Sequence, residues 1–167
     1  PYLGFCLGLQ MAVIEFARGV CGLTDANSGE FDEATPNKVI DFMPDQYSTM
    51  DKGGTMRLGS YPCRIAPGTH MHECYKTDFI SERHRHRYEF NNSYRTLLEE
   101  NGLCISGTSP DGRIVETVEL PEHPFYVGVQ FHPEFKSSPR CNNTRFSCFN
   151  AVSVPTVFSR TEGPMSA

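Results

Sequence analysis

The sequence predicts an α/β fold. An apolar run over residues 1–5 leads directly into a helical pattern over residues 7–20, which is typical of a strand followed by a helix. Further along, strand-like runs alternate with turn signals, and the last of them spans residues 125–131. With 167 residues, no tryptophan and 38% hydrophobic residues, the chain suits one domain, or most of one, with a single core.

The first strand-to-helix junction carries the motif Gly4-x-Cys6-x-Gly8. A side chain at the point of such a turn has a strained backbone, and the residues two before and two after it need to be small. The turn places the sulfur on the first turn of the helix, where unpaired N–H groups and the helix dipole favour a thiolate. We therefore expect Cys6 to be a nucleophile. The alternative is a small buried apolar residue, the commoner fate of a free cysteine.

Possible partners for this sulfur occur nearby and far downstream. His132 and Glu134 follow the run of residues 125–131, and they supply an imidazole and a carboxylate just past a strand end. Gln10 lies one helical turn after Cys6 on the same face, close enough to touch a group bound to the sulfur. A solvated helix glutamine is the alternative for Gln10.

The middle of the chain divides into loops, short strands and a helix. We expect a surface loop over residues 24–36, a strand over 39–43 and a loop over 44–54, followed by strands over 55–58 and 61–65 that Gly59 interrupts. A helix is expected over residues 93–100, capped by Asn91 or Asn92 and ended by Gly102. Residues 103–107 and 113–120 should form a hairpin. The glycine pair at residues 53–54 indicates a tight turn, because neither the lysine nor the spacing of a phosphate-binding P-loop follows.

Two histidine-containing segments suggest other functions. His70, His72 and Cys74 alternate, so a strand would put all three on one face, and imidazole and thiolate suit zinc. We nevertheless predict no metal site, because a structural site needs four ligands and no second pair stands at a typical spacing. Residues 83–87 place five cationic or potentially cationic groups in an extended run. The run is short and the net charge is −5, so we expect no nucleic-acid surface.

Composition also bears on location. No run approaches eighteen consecutive apolar residues, and the first residues lack the basic flank and cleavage site of a signal peptide. The seven cysteines are odd in number and irregularly scattered, which favours reduced thiols over a secreted disulfide framework. We therefore expect a cytoplasmic protein without a membrane segment.

Cys6 in its turn, together with His132 and Glu134, resembles the catalytic triad of class I glutamine amidotransferases. The segments GGTMRLG, residues 53–59, and ERHRHRYE, residues 82–89, narrow the resemblance to the amidotransferase domain of CTP synthases. It implies a flavodoxin-like, three-layer fold with a doubly wound sheet in which the strand before Cys6 is central. Several strands and helices are therefore expected before residue 1.

The resemblance also implies roles. Cys6 would attack the side-chain amide of L-glutamine to form a thioester, His132 would protonate the departing ammonia and then activate water, and Glu134 would fix the imidazole. Glutamine binding is assigned to Leu7, Gln10, Glu30 and Arg87. Within this set, Leu7 would give one oxyanion-hole N–H group, Gln10 would contact the substrate, Glu30 would hold the α-amino group and Arg87 the α-carboxylate. Arg83 and Arg85 stay open between a partner-domain interface and an effector nucleotide.

For the whole enzyme the resemblance implies a synthetase domain that binds ATP, Mg²⁺ and UTP, a homotetramer, and no cofactor in the present domain. The similarity ends near residue 138, and no helical period follows, so we expect an amidotransferase part over residues 1–138 and an aberrant, disordered tail over residues 139–167. The glycine-rich loop that gives the second oxyanion donor is also expected upstream, so the chain alone should turn over glutamine poorly. Another class I amidotransferase, or an inactive fragment, are the alternatives.

Overall fold

The computed structural model describes residues 1–42 and 56–136. The predicted loop over residues 44–54, with its glycine-pair turn, and the predicted tail over residues 139–167 lie outside the described residues. The strands in the described ranges are β1 (Tyr2–Phe5), β2 (Asn27–Ser28), β3 (Lys38–Asp41), β4 (Arg57–Ile65), β5 (Phe79–His86), β6 (Glu89–Phe90), β7 (Cys104–Thr108), β8 (Val115–Glu119) and β9 (Tyr126–Val129). The helices are α1 (Leu7–Gly19), α2 (His70–Tyr75) and α3 (Arg95–Glu100), with 3₁₀ turns at Asn92–Tyr94 and Pro133–Lys136.

The described strands form two mixed sheets. The larger has the order β1-β9-β8-β7-β4-β5, and the smaller has the order β2-β3-β6. In the larger sheet β1 and β9 are parallel and the other neighbouring pairs are antiparallel. In the smaller sheet β2 and β3 are parallel, whereas β3 and β6 are antiparallel. The predicted α/β class is confirmed, with a mixed rather than an all-parallel sheet in the described part of the chain.

Both faces of the larger sheet are covered by apolar side chains. One core joins α1 to the smaller sheet, α3 and β8, and its buried members include Leu9, Val13, Ile40, Phe90, Leu98 and Val118. The other core contains Met71 of α2 and the alternate residues Val127 and Val129 of β9. Between these two residues, Gly128 faces α1, and a Cβ atom there would stand 3.1 Å from the Cα atom of Leu9. The glycine therefore lets α1 lie close against the sheet.

Several predicted elements are confirmed, because their signals are local. The helix after Cys6 is α1, and the hairpin is formed by β7 and β8. The side chain of Asn91 accepts a hydrogen bond from the backbone N–H of Ser93, at the start of the 3₁₀ turn that precedes α3. Gly102, after the end of α3, has a φ of 102°, a left-handed value that favours glycine.

One predicted pair of elements is wrong in form. The two strands expected around Gly59 are one strand, β4, in which Gly59 pairs with His84 and adopts a φ of 105°. Residues 70–74, for which a strand is considered only in weighing a metal site, belong to a helix, α2. The backbone N–H groups of His70 and Met71 donate to the carboxylate of Glu119 at 2.9 and 3.3 Å, and Thr69 caps the helix. These distant acceptors satisfy the first turn, so the segment is not a strand.

Strand β5 confirms the predicted extended run, and it shows that one of the five potentially cationic side chains, His84, is neutral. Its residues alternate between exposed and buried, and the buried ones include Glu82, His84 and His86. The ring of His84 lies edge-on to Tyr61 and Phe131, with centroids 5.5 and 5.8 Å away. Burial lowers the pKa of His84 to about 2, so this imidazole is neutral in the folded protein.

Replacing His84 by phenylalanine should reduce the loss of stability in mild acid. Below about pH 6.5 an unfolded histidine takes up a proton that the buried ring refuses, so the free energy of unfolding falls by roughly 1.4 kcal/mol per pH unit. Urea unfolding at pH 7.0 and 5.5 should show that the unsubstituted protein loses about 1 kcal/mol more than His84→Phe over this interval.

The same measurement can contradict this expectation. The His84 Nε2 atom lies 3.6 Å from the Glu116 Oε2 atom, too far for a hydrogen bond. If the pair ionised together, His84→Phe would lose more stability than the unsubstituted protein on acidification, or an equal amount.

Candidate active site

The junction between β1 and α1 holds Cys6 in a strained conformation. Cys6 has a φ of 49°, in the left-handed region, and its N–H donates to the Val129 carbonyl at 2.7 Å. A Cβ atom on Gly4 would stand 2.6 Å from the Gly8 carbonyl carbon, so Gly4 has to be glycine. A Cβ atom on Gly8 would meet only the Tyr2 Oη atom, at 3.5 Å. The need for a small residue is therefore met at the first position and is not strict at the second.

The sulfur of Cys6 has two hydrogen-bond partners that are distant in the sequence, one in β5 and one just after β9. The thiol donates to the Arg85 carbonyl at 3.8 Å, and the Gln130 Nε2 atom donates to the sulfur at 3.8 Å. Burial raises the pKa of Cys6, the backbone N–H of Leu7 lowers it, and the Glu89 carboxylate raises it again, with Gln130 acting to lower it. The net pKa is raised, so the thiolate expected from the turn alone is wrong for the substrate-free protein.

Gln10 links Gln130, which contacts the sulfur, to the backbone at Tyr88. Its Nε2 atom donates to the Tyr88 carbonyl at 3.1 Å and to the Gln130 Oε1 atom at 3.4 Å. Both glutamines are buried, with 3% of Gln10 and none of Gln130 exposed. The predicted helical spacing of Gln10 and Cys6 therefore does bring the two residues to one site, through Gln130.

His132 and Glu134 lie just past β9, as predicted, and contact each other. The His132 Nδ1 atom is 2.7 Å from the Glu134 Oε1 atom, and the His132 ring stacks on Phe135 with centroids 4.6 Å apart. The His132 N–H donates to the Arg83 carbonyl at 2.8 Å, which ties the residue to β5. Within residues 1–42 and 56–136, the imidazole makes no hydrogen bond to Cys6. A catalytic hydrogen bond of this kind often forms only in the complex with substrate.

A cleft of about 380 Å³ opens next to the sulfur. It is lined by Cys6, Leu7, Gln10, Glu30, Phe31, Met56, Arg85, His86, Arg87 and Tyr88. The structure thus brings five of the seven predicted site residues together, whereas His132 and Glu134 do not line the cleft. Glu30 and Arg87 are both exposed there, so a zwitterionic ligand would meet charges of both signs.

A buried charge network supports the wall that carries Arg87. The Arg57 guanidinium donates to Glu89 at 3.1 Å and to Glu116 at 2.8 Å. Glu89 also contacts the His86 Nε2 atom at 2.8 Å. Burial opposes the charge of Arg57, but Glu116 and Glu89 outweigh it and raise its pKa, so the guanidinium stays charged. Contacts at both ends therefore fix the segment from His86 to Glu89.

The two other arginines of residues 83–87 differ in their position relative to the cleft. Arg85 lines the cleft with Arg87, whereas Arg83 does not. In the described ranges, no group of three or more His, Cys, Asp or Glu residues is arranged to hold a metal ion. No helix there is long and apolar enough to cross a membrane.

The sequence reasoning overlooked Gln130 and Arg57. Gln130 had a signal, since it is a polar residue in an otherwise apolar strand-like run and stands two residues before His132. Arg57 had none, because its partners Glu89 and Glu116 are 32 and 59 residues away in the chain.

Comparisons with known proteins agree with this geometry. The sequence model of the family "Glutamine amidotransferase class-I" matches residues 1–152. The chain is 58% identical over 166 residues to the CTP synthase of Roseiflexus castenholzii, covering 99% of this chain and 30% of that protein. It is 66% identical over 139 residues to the CTP synthase of Rubrobacter xylanophilus, covering 83% of this chain and 25% of that protein. The chain therefore spans less than a third of the length of these curated relatives.

A solved structure gives the corresponding match in three dimensions. The glutaminase domain of Trypanosoma brucei CTPS with bound acivicin superposes with a TM-score of 0.82 and 40% sequence identity, covering 92% of this chain and 60% of that chain. Together with the family match over residues 1–152, this superposition confirms the predicted class I glutamine amidotransferase-like fold.

Replacing Arg57 by methionine should destabilise the protein strongly. The change leaves the Glu89 and Glu116 carboxylates, which are 1% and 0% exposed, without their cation. Removing one partner from a buried pair costs about 3–5 kcal/mol. Arg95→Met is the matched control, because Arg95 pairs with Glu99 on the surface of α3 at 3.3 Å, and such pairs contribute about 0.5 kcal/mol or less.

Urea unfolding at pH 7 measures both variants of this pair. Similar losses for Arg57→Met and Arg95→Met would show that the two buried carboxylates do not depend on Arg57.

Proposed function

The chain belongs to the class I glutamine amidotransferases, and from that premise we propose that it is the glutamine-hydrolysing part of a CTP synthase. The observation that carries this proposal is the cleft that joins Cys6, held in its strained turn, to Gln10, Glu30 and Arg87. The substrate is L-glutamine, and the products are glutamate and ammonia. The relatives at 58% and 66% identity, both named CTP synthase, support the choice among class I amidotransferases.

The proposed reaction begins at the Cys6 sulfur. The thiol gives its proton to His132 as glutamine binds, and the thiolate adds to the carbon of the side-chain amide. The C–N bond then breaks, and His132 returns the proton so that ammonia leaves a thioester. His132 next removes a proton from water, and the water oxygen adds to the thioester carbon. The C–S bond then breaks, His132 returns the proton to the Cys6 sulfur, and glutamate is released. Glu134, at 2.7 Å from the His132 Nδ1 atom, sets the tautomer and supports the imidazolium.

Substrate recognition follows from the charges around the cleft. We assign the α-carboxylate of glutamine to Arg87, whose guanidinium can form two parallel hydrogen bonds with it. Glu30, on the loop beside β2, takes the α-amino group. The backbone N–H of Leu7, which already acts on the Cys6 sulfur, is one donor to the developing oxyanion. Gln10 contributes to the same end of the cleft.

The proposal for the whole protein is that the ammonia reaches a synthetase domain, which uses ATP and Mg²⁺ to convert UTP into CTP within a homotetramer. These ligands belong to that domain, and the amidotransferase part needs no cofactor. The proposal can be tested with a chimaera in which this chain replaces the matching segment of the Roseiflexus castenholzii CTP synthase.

In this chimaera, Cys6→Ser should abolish CTP formation from glutamine and leave CTP formation from added ammonia intact, because only the nucleophile of the first reaction is lost. A glutamine-like chloroketone should label the Cys6 peptide, as seen by mass spectrometry, before the other cysteines. Cys21→Ser, at a half-buried free cysteine away from the cleft, is the control and should retain both activities. Loss of both activities in Cys6→Ser would indicate a structural cysteine instead.

Arg87→Lys should raise KM for glutamine about tenfold or more, since hydrogen bonds to charged groups contribute about 1.5–3 kcal/mol and lysine lacks the planar fork. Glu30→Gln should raise KM similarly by removing the partner of the α-amino group. Arg83→Lys, on the same strand run but outside the cleft, is the control. Steady-state assays with glutamine and with ammonia separate binding from folding. An unchanged KM in Arg87→Lys would move the carboxylate site to Arg85.

A further inference from the structure

Gln130, the first residue after β9, carries a polar side chain into the protein interior beside Cys6. It is fully buried at the end of β9, and its backbone N–H donates to the Glu116 carbonyl at 2.8 Å. The side-chain amide of Gln130 lies between two groups. Its Nε2 atom is 3.8 Å from the Cys6 sulfur, and its Oε1 atom is 3.4 Å from the Nε2 atom of Gln10. A buried amide is costly unless it is hydrogen-bonded, and here one of its partners is the reacting atom itself.

The contacts of Gln10 fix which end of the Gln130 amide faces the sulfur. The Tyr88 carbonyl can only accept, so the group of Gln10 that lies 3.1 Å from it has to be the NH₂ group. The same NH₂ group faces Gln130, whose oxygen must then point towards Gln10. The remaining NH₂ group of Gln130 is left for the Cys6 sulfur. The orientation is thus passed from a backbone carbonyl through two side chains.

This orientation matters because the sulfur has opposing neighbours. The Arg85 carbonyl, at 3.8 Å, accepts from the thiol and therefore favours the protonated form. A thiolate has to be held by donors, because hydrogen bonds to the charged form stabilise it. The donors that act on this sulfur in the described structure are the backbone N–H of Leu7 and the Gln130 amide.

We infer that Gln130 is a catalytic residue of the glutamine hydrolysis proposed above: its amide N–H donates to the Cys6 sulfur and stabilises the thiolate, and Gln10 is the positioning residue that orients it. The role in glutamine hydrolysis rests on the proposed function, whereas the contact between the Gln130 amide and the sulfur does not. Both N–H groups of Gln10 are already engaged, so its Oε1 atom is the part that stays available to the substrate.

The test uses the chimaera with Gln130→Met, which keeps the side-chain length and removes the donor. Iodoacetamide alkylation of the Cys6 peptide is followed by mass spectrometry as a function of pH. The apparent pKa of Cys6 should rise by about one unit, and alkylation at a fixed pH below the pKa should slow about tenfold. In turnover, kcat for glutamine should fall with little change in KM, and ammonia-dependent CTP formation should be retained.

Three further variants make the test specific. Gln130→Glu keeps the shape but adds a carboxylate, so the pKa should rise further than in Gln130→Met. Gln10→Met frees the Gln130 amide to rotate and should give a smaller rise, which is not additive with that of Gln130→Met. Thr117→Val removes another fully buried polar group, on β8, and should leave the alkylation profile unchanged.

The charged and titratable side chains around the sulfur are Glu30, Arg85, His86, Arg87, Tyr88 and Glu89, with His132 and Glu134, and all variants keep them. An alkylation profile of Gln130→Met that matches the unsubstituted chimaera, in a protein that still makes CTP from ammonia, would overturn the inference. Alkylation does not depend on turnover. A chimaera that never hydrolyses glutamine would therefore contradict the proposed function, while a pKa shift in Gln130→Met would still support the contact with the sulfur.

Discussion

The site depends on the parallel pairing of β1 with β9. Phe5 pairs with Val129 in this register, so both strands end at the same edge of the sheet. The next residue of one strand is Cys6, and the next residue of the other is Gln130, with His132 two positions later. An antiparallel pair would have sent these side chains to opposite ends of the sheet. One register therefore assembles groups that are more than 120 residues apart in the chain.

A second constraint is the placement of charge beneath the cleft. Glu89 and Glu116 are buried carboxylates, and their cost in free energy is offset by one guanidinium, that of Arg57. Apolar residues of similar size could fill this space at no such cost. What the ion pairs add is a fixed position for the segment from His86 to Glu89, which supplies Arg87 to the cleft and the Tyr88 carbonyl to Gln10. The network thus costs some stability and fixes the position of the segment that lines one side of the cleft.

The sequence was informative where structure is set by near neighbours. The turn at Cys6, the helix after it and the β7–β8 hairpin follow from glycine placement and apolar periodicity, and all were predicted. The helix α2 was not, because its first turn is satisfied by Glu119, some fifty residues later. The same applies to β5. Alternation predicts two faces, but only the tertiary fold decides that the face with Glu82, His84 and His86 is the buried one.

The protonation state of Cys6 shows most clearly why reasoning from the local sequence is insufficient. A position at a helix N-terminus favours a thiolate, and the Leu7 N–H does lower the pKa of Cys6. Two effects that raise the pKa outweigh this one. The sulfur is buried by packing, and the Glu89 carboxylate is brought near it by a strand that is distant in the sequence. The sulfur therefore keeps its proton in the substrate-free protein, and the proposed reaction needs a base to remove it. Because the His132 Nδ1 atom is engaged by Glu134, the proposed mechanism leaves the Nε2 atom of the same ring for that proton.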